Sequence, residues 1–93
     1  MEIAELRLAL DAVNAKMLEV AAERFALIDE VARWKQANGA PILDETRELE
    51  AKVRTEDRAV ELGLPQGFGT ALAKLLIDWA KQREAELIAG SHA

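Results

Sequence analysis

From Ile3 to Trp34 the apolar residues recur in steps of three and four: Ile3, Leu6, Leu10, Val13, Met17, Val20, Leu27, Val31 and Trp34. That rhythm lays them along one narrow stripe of an α-helix and predicts a single long helix from about Glu2 to Ala37. The rhythm asks for a hydrophobe at position 24, and the chain supplies Arg24. A charge on a buried stripe is costly unless something pairs with it. Either Arg24 snorkels or meets a neighbouring glutamate, or it is there to hold an anion.

Asn38-Gly39-Ala40-Pro41 ends this helix, with Gly39 as the expected C-terminal cap and Pro41 as the stop. Asp44 is placed to cap a second helix whose first turns hold Glu45 and Glu48, favourable at the positive end of the dipole. Leu49, Val53, Val60 and Leu62 are expected on its buried side, the charged run from Lys52 to Arg58 on its solvated side, and Gly63 at its close. Leu64-Pro65 opens a third helix, with Gly67 and Gly69 weakening its start. Its apolar stripe is Leu72, Leu75, Leu76, Trp79 and Ala80, then Leu87 and Ile88. Trp79, Trp34 and Met17 are read as core residues. The expectation is an all-α chain of three helices, one long, one medium and one medium-long, forming a single domain over residues 1–93.

The long helix sets a size problem. At ~1.5 Å per residue it is a rod of roughly 50 Å, whereas a compact chain of this length has a radius of gyration of about 12 Å and a diameter near ~32 Å. The apolar stripe runs to both ends, so a second copy of the chain is expected to cover the overhang. An intertwined homodimeric helical bundle with two-fold symmetry follows.

Composition narrows the chemistry. The chain has no cysteine and one histidine, His92, in a Gly90-Ser91-His92-Ala93 tail expected to fray. Thiolate metal sites are thereby excluded, and histidine catalysis is not expected. A net charge of −5 argues against a nucleic-acid binder. No apolar run approaches membrane-spanning length, and the chain is expected to be cytoplasmic.

Against that acidic average, a few cations share one face. Arg24 and Lys35 are three helical turns apart, ~20° around the axis and roughly 16 Å along it. They could close on opposite ends of a small anion, with Arg47 adding a third cation from the first turn of the second helix. Arg7 lies roughly 25 Å along the rod from Arg24. It could reach the same ligand only from the other chain of an antiparallel dimer. The plainer reading makes Arg7, Lys35 and Arg47 solvated surface charges. Glu84 is a second anomaly, because it continues the spacing of Leu76 and Ala80 and precedes Leu87 and Ile88. A carboxyl on an apolar stripe is expected to hold its proton and donate a hydrogen bond. The alternative is a rim carboxylate paired with Lys81 or Arg83.

Taken in order, Leu6-Arg7, Leu10-Asp11, Ala22-Glu23-Arg24, Lys35 and Asp44-x-x-Arg47-Glu48 resemble the all-helical (AroQ-class) chorismate mutases. The resemblance runs from about residue 5 to 88. It implies an intertwined dimer with two equivalent sites and the unimolecular rearrangement of chorismate to prephenate, without metal or cofactor. It also implies roles: Arg24 and Arg47 grip the substrate carboxylates, Arg7 arrives from the partner chain, and Lys35 donates to the ether oxygen of the breaking bond. Glu48 holds the ring hydroxyl with help from the backbone at Asp44, and Glu84 stands where the family usually places a glutamine, the second donor to the ether oxygen. Three departures stand out: Asn14 for an aspartate in the first motif, Ala80 for a serine that some members place near the ring, and Glu84 itself, which suggests activity favoured by acid.

The chemistry agrees with the residues. A pericyclic step needs no nucleophile; it needs a dianion held in its reactive conformer and charge complementary to an ether oxygen that becomes more negative in the transition state. Two other readings compete with this one. The first is a lyase acting on isochorismate or a mutase acting on an amino analogue, both on the same fold. The second is a non-catalytic helical dimer.

Overall fold

The computed structural model describes residues 1–91, so His92 lies outside the described residues. Three helices make up the chain: α1 (Ile3–Asn38), α2 (Glu45–Glu61) and α3 (Phe68–Ser91). Their ends follow local chemistry. Gly39 closes α1 in the left-handed conformation, φ 66°, and its N–H returns to the Lys35 carbonyl, a geometry that glycine adopts without steric penalty. The Asp44 side chain accepts from the Arg47 N–H at 3.0 Å and starts α2. The third helix begins at Phe68, three residues after Pro65, because Gly67 (φ 89°) turns the chain first.

The start of α3 is held by a residue that the charge pattern places in solvent. Glu56 on α2 accepts from the Gly67 and Thr70 N–H groups at 2.9 Å each and from the Thr70 hydroxyl at 3.2 Å. These bonds serve amides at the open N-terminus of α3 and hold the Glu56 carboxyl below its ordinary range. Gly69 has a different reason to be there. A Cβ at that position would stand 2.6 Å from the Glu56 Cα and 2.9 Å from the Ala59 Cβ. The expected weak helix start is in fact a close crossing of two helix backbones.

α3 lies between the other two helices and packs against both. Ion pairs and one set of hydrogen bonds fix its direction: Asp29 with Arg83 and Lys35 with Glu84 set α3 alongside the second half of α1, while Glu48 with Lys81 and the hydrogen bonds of Glu56 with Thr70 set α2 antiparallel to it. The packed faces are made of small residues. Ala32, Ala59, Ala73 and Ala80 are the buried apolar side chains, with Gly69 and Glu84 also buried.

The apolar faces anticipated as core are therefore open. On α1 the half-buried positions are Ala21, Arg24, Phe25, Ile28, Asp29 and Lys35 around Ala32, whereas Val13, Met17, Val20, Leu27, Val31 and Trp34 are exposed. The two stripes differ by one residue, about 100° around the axis. The same offset recurs on α2: Glu48, Ala51, Lys52, Thr55, Glu56 and Ala59 turn toward α3, and Leu49, Val53, Val60 and Leu62 turn away. On α3, Leu76, Leu87 and Ile88 are half-buried, but Leu72, Leu75 and Trp79 are exposed. Within one chain these apolar stripes are therefore exposed rather than buried, and the helices of that chain pack through the neighbouring faces.

The outline is long and flat, 54 × 27 × 14 Å, with a radius of gyration of 16.5 Å. Residues 1–20 are all exposed. An added methyl at the backbone crossing has no room, so Gly69→Ala should destabilise the fold by roughly 1–3 kcal/mol. Urea denaturation of the two proteins measures this, and an unchanged midpoint would contradict the close crossing.

Candidate active site

Leu76, Ala80 and Glu84 follow one another at four-residue spacing and share a face of α3. α1 crosses this face with two cations. Arg24 donates from Nη1 to the Leu76 carbonyl at 3.3 Å, and the Lys35 ammonium lies 2.9 Å from Glu84 Oε1. Buried Ala80 sits between them. The serine expected of some relatives would place a hydroxyl here; the alanine gives a small apolar floor.

Arg24 has one long hydrogen bond and no carboxylate partner among the described residues. Partial burial pulls its guanidinium down from its ordinary value. That value lies so far above neutrality that the group remains a cation. The anticipated neighbouring glutamate is not its partner. Lys35 is differently placed: its ammonium also donates to the Ile42 carbonyl at 3.0 Å, so the loop after α1 holds it against α3. The side chains of Lys35 and Glu84 are only 17% and 5% exposed. Glu84 Oε1 is fully enclosed yet forms no aligned hydrogen bond, so the contact with Lys35 is an oblique ion pair. The anticipated neutral donor thus faces an ammonium, and its partner is neither Lys81 nor Arg83.

Those two cations have other work. Lys81 donates to Glu48 Oε1 at 3.1 Å. Arg83 makes a two-pronged contact with Asp29, 2.8 Å and 3.1 Å; the hydrogen bond from Arg83 holds the Asp29 carboxyl below its ordinary range, and the same contact raises Arg83. Glu48 is half-buried, and its Oε2 is enclosed without a hydrogen-bond partner. α3 therefore joins Glu48 of α2 to one turn and Lys35 of α1 to the next. Lys81 carried no motif, and its position one turn before Glu84 was the available signal.

Arg47 and Asp44 are exposed at the start of α2, and Arg7 is exposed on the free half of α1. The Arg7 and Arg47 guanidiniums have no carboxylate partner among the described residues, in a chain with 17 acidic residues. Arg7 is not brought to the other candidates within one chain. A groove of about 570 Å³ between α2 and α3, lined by Leu62, Leu64, Phe68 and Leu72, holds none of these residues. No group of histidine, cysteine or carboxylate side chains suited to a metal occurs among the described residues, and no helix there is long and apolar enough to cross a membrane.

The family described as Chorismate mutase type II matches residues 6–85, a span that includes every candidate residue from Arg7 to Glu84. This chain belongs to that family. A chorismate mutase of Methanocaldococcus jannaschii is 29% identical over 87 residues, covering 94% of this chain and 88% of that protein. No solved structure matched significantly. Membership makes the chain an isomerase, a chorismate mutase of the all-helical kind, and the lyase, amino-analogue and non-catalytic readings are not favoured.

Arg24 stands where packing would favour a hydrophobe. Arg24→Leu should raise the stability of the protein by roughly 1 kcal/mol while removing function, the exchange typical of strained functional positions. Paired denaturation and activity measurements test this; a destabilised variant would show that Arg24 is structural.

Proposed function

We propose that two copies of the chain interlock and rearrange chorismate to prephenate by holding the dianion folded between cations of both chains. The observation that carries this reading is the convergence of Arg24, Lys35 and Glu84 on one face of α3, with Arg24 free of any carboxylate. Arg24 and Arg47 bind the substrate carboxylates as charge-assisted hydrogen-bond donors. Lys35 and Glu84 donate to the ether oxygen, and Glu48 accepts from the ring hydroxyl near the backbone of Asp44.

Exposed apolar area supports the dimer. Among the described residues four alanines form the buried apolar core of one chain, while Leu10, Val20, Leu27 and Trp34 are about three-fifths exposed. Burial of apolar area at ~25 cal/mol per Å² is the main favourable term in folding, and a second chain along α1 supplies it. That chain carries Arg7 on its own free half, and an antiparallel pairing brings Arg7 to a site that lacks it.

Rate enhancement here is electrostatic. Negative charge grows on the ether oxygen as its bond to carbon breaks, so donors fixed there act more strongly in the transition state than on the bound substrate. Holding the reacting ends together removes conformational entropy beforehand. The chain's own groups supply both effects, and proton transfer is not required. Substrate binding must part Lys35 from Glu84 so that both face the oxygen. Glu84 donates only while it carries a proton.

Purified protein incubated with chorismate should yield prephenate; no product between pH 5 and 8 would sink the assignment. Arg7→Ala and Arg24→Ala should each be nearly inactive, whereas their mixture after subunit exchange should recover about a quarter of the wild-type sites, because half the dimers are mixed and each has one intact site. No recovery would exclude Arg7 acting across chains. Glu84→Gln, which keeps a neutral donor at this position, should remain active, whereas Glu84→Ala should lose most of its turnover; a fully active Glu84→Ala would remove Glu84 from the reaction.

A further inference from the structure

Lys81 stands three residues before Glu84, one turn along the same side of α3. Its ammonium takes one oxygen of Glu48, Oε1, at 3.1 Å. The Glu48 side chain is 19% exposed, and its other oxygen, Oε2, is enclosed and has no hydrogen-bond partner among the described residues. An enclosed carboxylate oxygen without a donor is unfavourable, and a bound group that donates would relieve it. Lys81 thereby governs two properties of Glu48: which oxygen it offers, and the net charge met by whatever approaches that oxygen.

The last property discriminates between ligands. A lone carboxylate attracts an ammonium more strongly than a hydroxyl, because the interaction of two full charges exceeds that of a charge with a dipole. A carboxylate already paired with Lys81 has no net charge to offer, and a second cation beside it is repelled by the lysine. A neutral hydroxyl still donates to Oε2.

We propose that Lys81 is a positioning and specificity-determining residue, which orients and neutralises Glu48 so that the site takes a ring hydroxyl and discriminates against an ammonium at the same ring position. This rests on the assignment of Glu48 to the ring hydroxyl. The competing role is a bridge that merely fastens α2 to α3.

The test is steady-state kinetics of Lys81→Met, Lys81→Gln and Lys81→Arg. Each is assayed with chorismate and with its analogue carrying an amino group in place of the ring hydroxyl, at a pH where the amine is protonated. Thermal midpoints of the same preparations are measured alongside. Lys81→Met and Lys81→Gln should lower kcat/KM for chorismate by about tenfold and shift the ratio of the two substrates toward the amine. Lys81→Arg should restore the wild-type ratio. In a Glu48→Gln background, Lys81→Met should leave the ratio unchanged, because its effect passes through Glu48. A ratio unmoved by Lys81→Met and Lys81→Gln overturns the proposal, whatever happens to stability. A wild-type protein that turns over neither substrate overturns the underlying reading, a different result from an active protein with an indifferent Lys81.

Discussion

Close approach of helix backbones governs this molecule. Ala32, Ala59, Ala73, Ala80 and Gly69 leave almost no side-chain volume at the two contacts of α3, and only at such short range can Lys35 of α1 and Lys81 of α3 meet carboxylates on the neighbouring helices. Larger residues at these positions would push the helices apart. The same economy of volume fixes the shape: small residues are used between helices of one chain, so the valines, both tryptophans and most of the leucines lie outside.

That division explains what could be read from the residues alone. Asp44 and Gly39 mark their helix ends through backbone geometry that depends on no other part of the chain, and both ends lie where the residues indicate. The cationic face of α1 was visible because an arginine in an apolar rhythm is conspicuous. The side of each helix that packs within the chain was not. Alanine, threonine and glutamate carry little weight in a hydrophobic pattern, so the stripe through Ala21, Ile28 and Ala32 was hidden beside the stronger one through Val20, Leu27 and Val31. Glu56 was equally illegible, since its partners are backbone amides 11 and 14 residues away. The partner of Glu84 was missed for a related reason: local spacing suggests neighbours on the same helix, and its counter-ion comes from α1.

A pericyclic reaction asks little of side-chain nucleophilicity and much of charge placement, and the distribution of charge here reflects that. The chain is acidic overall, yet Arg7, Arg24 and Arg47 are left without carboxylate partners among the described residues. Unneutralised cations in a net-negative protein are unfavourable for one another and favourable for a doubly negative ligand. Arg24 shows the conflict within a single residue, since it disturbs an apolar stripe and is partly desolvated.

The fork between Arg83 and Asp29 lies outside the proposed chemistry, but it has a consequence for it. A guanidinium gripping both oxygens of a carboxylate tolerates little sliding or rotation. One residue of slip along α3 is about 1.5 Å, enough to break the fork, and a full turn would carry Glu84 past Lys35 altogether. The fork works as an alignment pin, setting the phase of one rod against another from beyond the working surface. Precision at the reacting atoms is then a property of the scaffold's outer edge, where no substrate atom ever arrives.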